Sequence, residues 1–355
     1  MVSYIFRRLL LMIPTLFGVM AVTFLVIQFV PGGPVERMVT LLEKGHGPGG
    51  GGEVASGRTS VTGSYRGAQG LDPEQVEQLR RLYGFDKPPV ERFLIMMWNY
   101  LRFDFGDSYY YHRSVVDLVV EKLPVSISLG LWNFFLTYLI SIPLGIKKAI
   151  RHQSRFDSWT STVILAGYSI PGFVLGILLI VLFGGGSFWS LFPLRGLHSD
   201  HWQELSMMGK ALDYLWHMVL PVTASVIGSF AVMTMLTKNS FLEEISKNYV
   251  QTARAKGLTE NAVLYRHVFR NAMIPLVTGF PGSFVAAFFS GSLLLETIFT
   301  LDGLGLLGYE SVINRDYPVV MATLYFFTLL GLLTKLLTDT TYVLVDPRIT
   351  FDKAQ

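Results

Sequence analysis

The chain has 355 residues, seven of them His and none Cys, which narrows the chemistry it can do before any fold is considered. Without Cys there is no disulfide, no thiolate-held zinc or iron-sulfur cluster and no Cys nucleophile. His198 and His201 stand in HxxH spacing, but no HExxH or carboxylate pattern completes a zinc site around them. A phosphate-cradling G-x-x-x-x-G-K-[ST] loop is absent, and the tract Gly49-Gly50-Gly51-Gly52 lacks the Lys-Ser/Thr and helix that would make it one, so it reads as a flexible linker. Neither a GxSG-type serine nor a paired intramembrane Asp supports a hydrolase. The chain by itself therefore offers no catalytic centre, and its polar residues call for another explanation.

Two groups of polar residues are patterned. Asn133, Thr137, Tyr138 and Ser141 recur on roughly one helical face of an apolar run. They can wet a transmembrane pathway or hydrogen-bond neighbouring helices, and both readings stay open. The second group lies in residues 238–275, a basic insert between two long apolar runs. Phe241, Ile245, Tyr249 and Ala253 recur every four residues, so 240–256 is expected to be an amphipathic helix stopped by Gly257. Thr259 caps a second short helix with Leu264 and Val268 on one face and Arg266 and Arg270 elsewhere, and Pro275 opens the next apolar run. Ala253, Ala255 and Gly257 are small enough for another protein's groove to approach the backbone, while Arg254 and Lys256 supply orienting charge.

The elements that must carry these groups are membrane helices. The chain is 51% hydrophobic and only 15% charged, where soluble domains carry about 25% charge. Runs at 9–30, 123–146, 160–183, 217–236, 276–299 and 317–337 are each near the roughly 20 residues that a spanning helix needs. The first is too long for a signal-peptide core and is followed by Pro31-Gly32-Gly33-Pro34 rather than a cleavage site. Arg7 and Arg8 before it, Lys147, Lys148, Arg151 and Arg155 in the second connection, and six cations in 238–275 place both termini and these loops in the cytoplasm. The expected division is 1–30, the cytoplasmic N-terminus and first span; 31–123, a periplasmic loop with a Gly-rich disordered part at 45–70; 124–340, the remaining spans with the 238–275 loop; and 341–355, a cytoplasmic tail. Within the loop, Asp72 caps a helix starting at Pro73, and 91–101 is an aromatic amphipathic piece that suits either a membrane interface or packing inside the loop. Pro171 is expected to kink the third span, with Gly172 and Gly176 in GxxxG spacing; Ser283, Ala287 and Gly291 make a packing stripe in the fifth. Glu296 and Lys335 lie close enough to span ends to snorkel. Since spans one to four hold no ionised residue near their centres, an ion-coupled secondary transporter is disfavoured. A net charge of +3 gives no case for nucleic acid.

Gln251-Thr252-Ala253-Arg254-Ala255-Lys256-Gly257, followed by Arg266-His267 and Arg270-Asn271-Ala272-Met273-Ile274-Pro275, resembles the EAA loop of permease subunits of bacterial ABC importers in the dipeptide/oligopeptide/nickel group. The leading Glu of the general motif is Gln251 here and its first Ala is Thr252. Tyr83-Gly84-Phe85-Asp86-Lys87-Pro88, Gly106-Asp107-Ser108, Ser169-Ile170-Pro171-Gly172-Phe173, Leu220-Pro221, Gly303-Leu304-Gly305, Asn314-Arg315-Asp316-Tyr317-Pro318 and Asp346-Pro347-Arg348-Ile349 follow in family order. The Gly-rich loop and residues 65–73 and 103–108 are similar to the Yej-type branch of that group. The resemblance implies an all-α, six-span, type I importer (MetI-like) permease in the bacterial inner membrane. It also implies a second homologous permease, two ATP-binding subunits or one fused ATPase carrying ATP and Mg, and a periplasmic substrate-binding protein. The chain itself would bind no cofactor and no metal. Gln251 to Gly257, Arg266, Arg270, Asn271 and Pro275 would couple the ATPase to the membrane, and the cargo would be short peptides, peptide-nucleotides of the microcin C type included. Nickel and glutathione importers use similar permeases.

Overall fold

The computed structural model describes residues 2–29, 86–185, 188–288 and 291–345. The Gly-rich part at 45–70, the helix expected from Pro73, the signatures at 65–73 and 83–85 and the Asp346-Pro347-Arg348 signature lie outside the described residues. Among the described residues the chain is helical, with two isolated β-bridges, Asp107 to Ser114 and Gly184 to Ser190. The helices are α1 (Val2–Phe29), α2 (Pro89–Tyr100), α3 (Val115–Ile150), α4 (Arg155–Tyr168), α5 (Gly172–Phe183), α6 (Met207–Ile245), α7 (Asn248–Ala255), α8 (Glu260–Ala262), α9 (Phe269–Ala272), α10 (Ile274–Phe288), α11 (Leu293–Ile298), α12 (Leu304–Asn314) and α13 (Tyr317–Val345). Five helical stretches are long and apolar enough to cross a membrane, and α4 with α5 makes a sixth candidate as a bent pair. The first of them, Tyr4–Phe29, has a mean hydropathy of 2.5 and only 11% of it is buried in the chain, so most of its apolar surface needs lipid.

The expected kink at Pro171 is a break. α4 ends at Ser169 and α5 begins after Pro171, the two axes differing by 93°. Pro lacks the N–H that would continue the ladder and disfavours helical backbone in the residue before it. The glycines after it do what their spacing predicts: a Cβ on Gly172 would lie 2.8 Å from the Ala224 carbonyl oxygen, and one on Gly176 3.2 Å from the Phe299 ring. Both contacts let α5 pack closely on its neighbours, and the clearest close approach of all is Gly130, where a Cβ would overlap the Ala287 carbonyl at 1.7 Å.

The chain divides into two compact units, one of Met1–Met12, Val119–Tyr309 and Leu329–Gln355, the other of Ile13–Leu118 and Glu310–Thr328. In the first, Val125, Leu129, Met218, Leu220, Leu295 and Phe299 form one apolar core. Glu296, expected to snorkel, is instead fully buried and accepts bonds from Ser292 N at 2.9 Å and Leu306 N at 2.7 Å. The carboxylate satisfies backbone donors at the starts of α11 and α12, which holds it inside the fold. Gly303 explains its place in the signature Gly303-Leu304-Gly305, because a Cβ on it would sit 2.6 Å from the Glu296 Cδ. Lys335 is exposed, as a snorkelling side chain would be.

In the second unit Phe93 packs on Phe17 and Phe24, each ring 5.3 Å away, and Tyr100, Phe105 and Tyr325 form an aromatic cluster. Two signatures 208 residues apart meet here: Ser108 Oγ donates to Asp316 Oδ2, and Tyr109 N donates to Oδ1 at 2.9 Å. Burial pushes the Asp316 carboxyl above the ordinary aspartate range, and these donors oppose that shift. A buried acid with a raised folded-state pKa binds its proton more tightly folded than unfolded, so its penalty acts above that pKa and fades as pH falls through it. Ser108→Ala, which removes one donor to the carboxylate, is expected to destabilise by about 1–3 kcal/mol at neutral pH and by less under mild acid. Thermal unfolding of the variant across pH checks it; a deficit that grows on acidification contradicts the assignment.

Candidate functional site: a coupling platform

The polar insert forms a compact platform, with helix boundaries that differ from those its period predicts. α6 runs without interruption through Lys238 to Ile245, and the chain then breaks at Ser246 and Lys247, whose extended backbone (φ −73°, ψ 149°) starts α7. The helix expected over 240–256 is thus two helices. At its end the expectation holds in detail: Gly257 has φ +82°, its N–H donates to Arg254 O at 2.9 Å, and Leu258 N donates to Ala253 O at 3.4 Å. That is a Schellman turn, which needs a left-handed residue at the Gly257 position. Thr259 Oγ1 accepts from Ala262 N at 3.4 Å as the cap of α8, and residues 263–268 then adopt a π turn before α9.

An apolar core underlies α7. Phe241 of α6, Val250 and Ala253 of α7, Val263 and Val268 of the π turn, Ala272 of α9 and Ala149 of α3 are all buried in one cluster. Ala253 is therefore a packing residue and not part of the presented face. Gln251, Thr252, Ala255, Lys256 and Gly257 are exposed, as are Arg266, Arg270 and Pro275. Arg254 reaches across the turn to Glu260, Nε to Oε1 at 2.9 Å and Nη2 to Oε2 at 3.1 Å. Its charge closes the turn, an exposed pair worth about 0–1 kcal/mol. Asn271 is half-buried and donates to Tyr249 Oη at 3.1 Å, while that hydroxyl donates to Glu244 Oε2 at 2.5 Å. Burial, and then the bond to Glu244, raises the Tyr249 hydroxyl pKa above that of free tyrosine, so this clasp stays a neutral donor at ordinary pH.

Beside the platform is a cluster that its sequence does not announce. Lys148, expected among loop cations, is a helical residue of α3 and fully buried. Its Nζ donates to Asp157 O at 2.9 Å, Thr160 Oγ1 at 2.7 Å and Ser161 Oγ at 2.8 Å, and lies 3.1 Å from Asp157 Oδ1. Lys238 of α6, also buried, donates to both oxygens of Asp157 at 2.7 and 2.8 Å. Asp157 stands in the first turn of α4, where Ser154 Oγ accepts from its N–H at 3.2 Å and Gln153 N donates to Oδ2 at 3.2 Å. One carboxylate thus joins α3, α4 and α6. Lys148 adjoins Ala149 and Lys238 lies one turn before Phe241, so the Asp157 cluster borders the platform core.

The second patterned group is partly brought together. Asn133, Thr137 and Tyr138 line a cleft of about 580 Å³ with Gly228 and Ser229 of α6 and Gly279 of α10. Ser141 is not on it; it is fully buried and donates to Phe230 O at 3.1 Å. Asn133 and Thr137 also serve the packing reading, Asn133 Nδ2 donating to Ser225 O at 3.4 Å and Thr137 Oγ1 to Asn133 Oδ1 at 3.1 Å. His198 stacks on Trp202 with ring centroids 4.9 Å apart, and the His201 side chain is exposed.

The model of the binding-protein-dependent transport system inner membrane component matches residues 141–351, a stretch that holds the whole platform and the Asp157 cluster. The chain belongs to that family. This inner membrane component is 58% identical over 360 residues to the peptidoglycan transport system permease protein YejB of Agrobacterium fabrum and 53% identical to the inner membrane ABC transporter permease protein YejB of Escherichia coli O157:H7. Each match covers 99% of this chain and 99% of the relative. The oligopeptide transport system permease protein AppB of Bacillus subtilis is 31% identical, over 99% of this chain and 100% of the relative. The expected all-α permease architecture agrees with a helical chain of five candidate spans, six with the bent pair, in a member of this family.

Proposed function

We propose that this chain is the membrane-spanning permease subunit of an ATP-driven peptide importer. A second permease completes the pathway, a periplasmic binding protein delivers the cargo, and partner subunits hydrolyse ATP. The observation that carries this reading is the end-to-end likeness to permeases named for peptidoglycan and oligopeptide transport, 99% of this chain in each case. The platform supports the coupling role. Gln251, Thr252, Ala255, Lys256 and Gly257 present a rigid, exposed face on an apolar core, the form that a helix seated in a partner's groove requires. In this reading the platform and both termini are cytoplasmic, and a shift of α7 moves α6 through Phe241 and α10 through Asn271 and Pro275.

Uptake of a labelled tripeptide into cells with and without this chain tests the cargo, with unlabelled peptides, glutathione and nickel as competitors. Uptake is expected to need the chain and ATP and to be displaced by peptides alone. Displacement by nickel or glutathione but not by peptides rejects the peptide reading. Uptake driven by a proton gradient without ATP rejects the importer class.

A further inference from the structure

The second unit holds a groove that the transport reading does not use. It is about 400 Å³ in volume and runs between α1, α2 and the start of α13. Its floor is apolar, with Phe24 and Ile27 of α1 and Ile95 of α2. Its lining also carries charges of both signs, Lys87 and Arg92 as cations and Asp104 and Asp107 as anions. The Arg92 guanidinium carbon lies 5.7 Å from the centre of the Phe24 ring, so one of these cations sits beside an apolar lining residue. Lys87 shares its charge with Glu91 at 3.3 Å, and Asp104 Oδ1 accepts from Gly106 N at 3.1 Å.

A ligand fitting this groove has an apolar body and a head with both a negative and a positive group. The setting decides which amphiphile that is. Phe24 and Ile27 belong to α1, of whose most apolar stretch 11% is buried among the described residues, as suits a helix that borders lipid. α2 itself carries a second, outward stripe, Val90, Leu94, Trp98 and Leu101, with 72%, 56%, 56% and 61% exposure. These positions recur at helical spacing on a face about 100° round the helix from the buried Phe93 and Tyr100. Arg102 lies over the Trp98 ring with its guanidinium carbon 4.5 Å from the centre, the arrangement of an aromatic anchor and a cation at a membrane surface. α2 thus borders the bilayer on one face and the groove on the other.

The geometry points to a binding site for a zwitterionic phospholipid bearing a primary amine, of the phosphatidylethanolamine type. Its acyl chain lies on Phe24, Ile27 and Ile95. Its phosphate is held by Arg92 and Lys87, and its ammonium donates to Asp104 and Asp107. A choline head has no N–H to donate and a glycerol head no positive charge, so both fit the two aspartates less well. The proposed orientation of the chain enters only in naming the leaflet, the outer one.

The test uses the complete transporter in lipid nanodiscs doped with a trace of photoactivatable phosphatidylethanolamine, phosphatidylcholine or phosphatidylglycerol, with crosslinks mapped by mass spectrometry. The ethanolamine lipid is expected to label α1 and α2 peptides about tenfold more than the other two, the factor of one charge-assisted hydrogen bond. Arg92→Gln should lower labelling by all three. Asp104→Asn with Asp107→Asn, both on exposed rim positions, should erase the preference for ethanolamine and leave total labelling intact. Equal labelling by the three lipids, strongest labelling by phosphatidylglycerol, a preference that survives the double substitution, or displacement of the label by a short zwitterionic peptide overturns the site. Apart from the peptide displacement, these readouts use neither cargo nor ATP, so the lipid site and the importer function fail separately.

Discussion

Asp157→Asn is expected to cost about 3–5 kcal/mol of stability and to remove uptake with it. Among the described residues the carboxylate is the one anion paired with the two buried ammonium groups, Lys148 and Lys238. Losing it affects them unequally. Lys148 keeps Thr160, Ser161 and the Asp157 carbonyl, whereas Lys238, whose two side-chain bonds both go to Asp157, keeps at most the amide oxygen and loses its counter-charge. An unpaired buried charge is the costly species, so adding Lys238→Met to Asp157→Asn should recover part of the loss even though it removes another polar group. Thermal unfolding of the purified transporter carrying each variant decides it. A single variant within about 1 kcal/mol of the parent, or a double variant that is worse than the single, means that the cluster is not what ties α3, α4 and α6.

Gly257→Glu is expected to abolish uptake while leaving a folded chain. No atom lies within 4 Å of a Cβ placed there, so the side chain has room; the conflict is with the backbone at φ +82°. Holding a non-Gly residue in that region costs about 1–2 kcal/mol, which shifts the turn or frays the end of α7. It also sets a negative charge on the exposed face we assign to the ATPase. Gly257→Asn separates the two effects, since Asn tolerates left-handed backbone and adds no charge. Uptake in the Asn variant should stay within a few-fold of the parent. Full uptake by the Glu variant, measured with matched amounts of the chain in the membrane, rejects the assignment of this turn to coupling.

The spans were legible because each is an apolar run of bilayer length, and Gly257 was legible because its conformation admits few other residues. The ends of helices were harder. α6 continues past the apolar run because the charge of Lys238 is met by Asp157, 81 residues earlier, a pairing that no local pattern displays. For the same reason Lys148 looked like a loop cation. The available hint was Asp157 itself, an acid three residues after a capping Ser in an otherwise basic connection. Glu296 shows the opposite case: Gly303 and Gly305 were noticed as a signature, but only the fold brings the carboxylate that they accommodate beside them. Ala253 has the right size for a docking face and the wrong side of the helix, a distinction that depends on where α7 breaks from α6.

The π turn at residues 263–268 has a consequence for how the length of this chain can change. A π turn holds one more residue than an α turn of the same angular sweep. Removing one residue within it would let the stretch close as ordinary α-helix and keep α9 facing the same way. Removing one from α7 or α9 would turn everything beyond it by about 100°, taking Ala272 off the core. The loop therefore carries a single-residue slack at one place, and natural variants of different length in this insert should gain or lose their residue there.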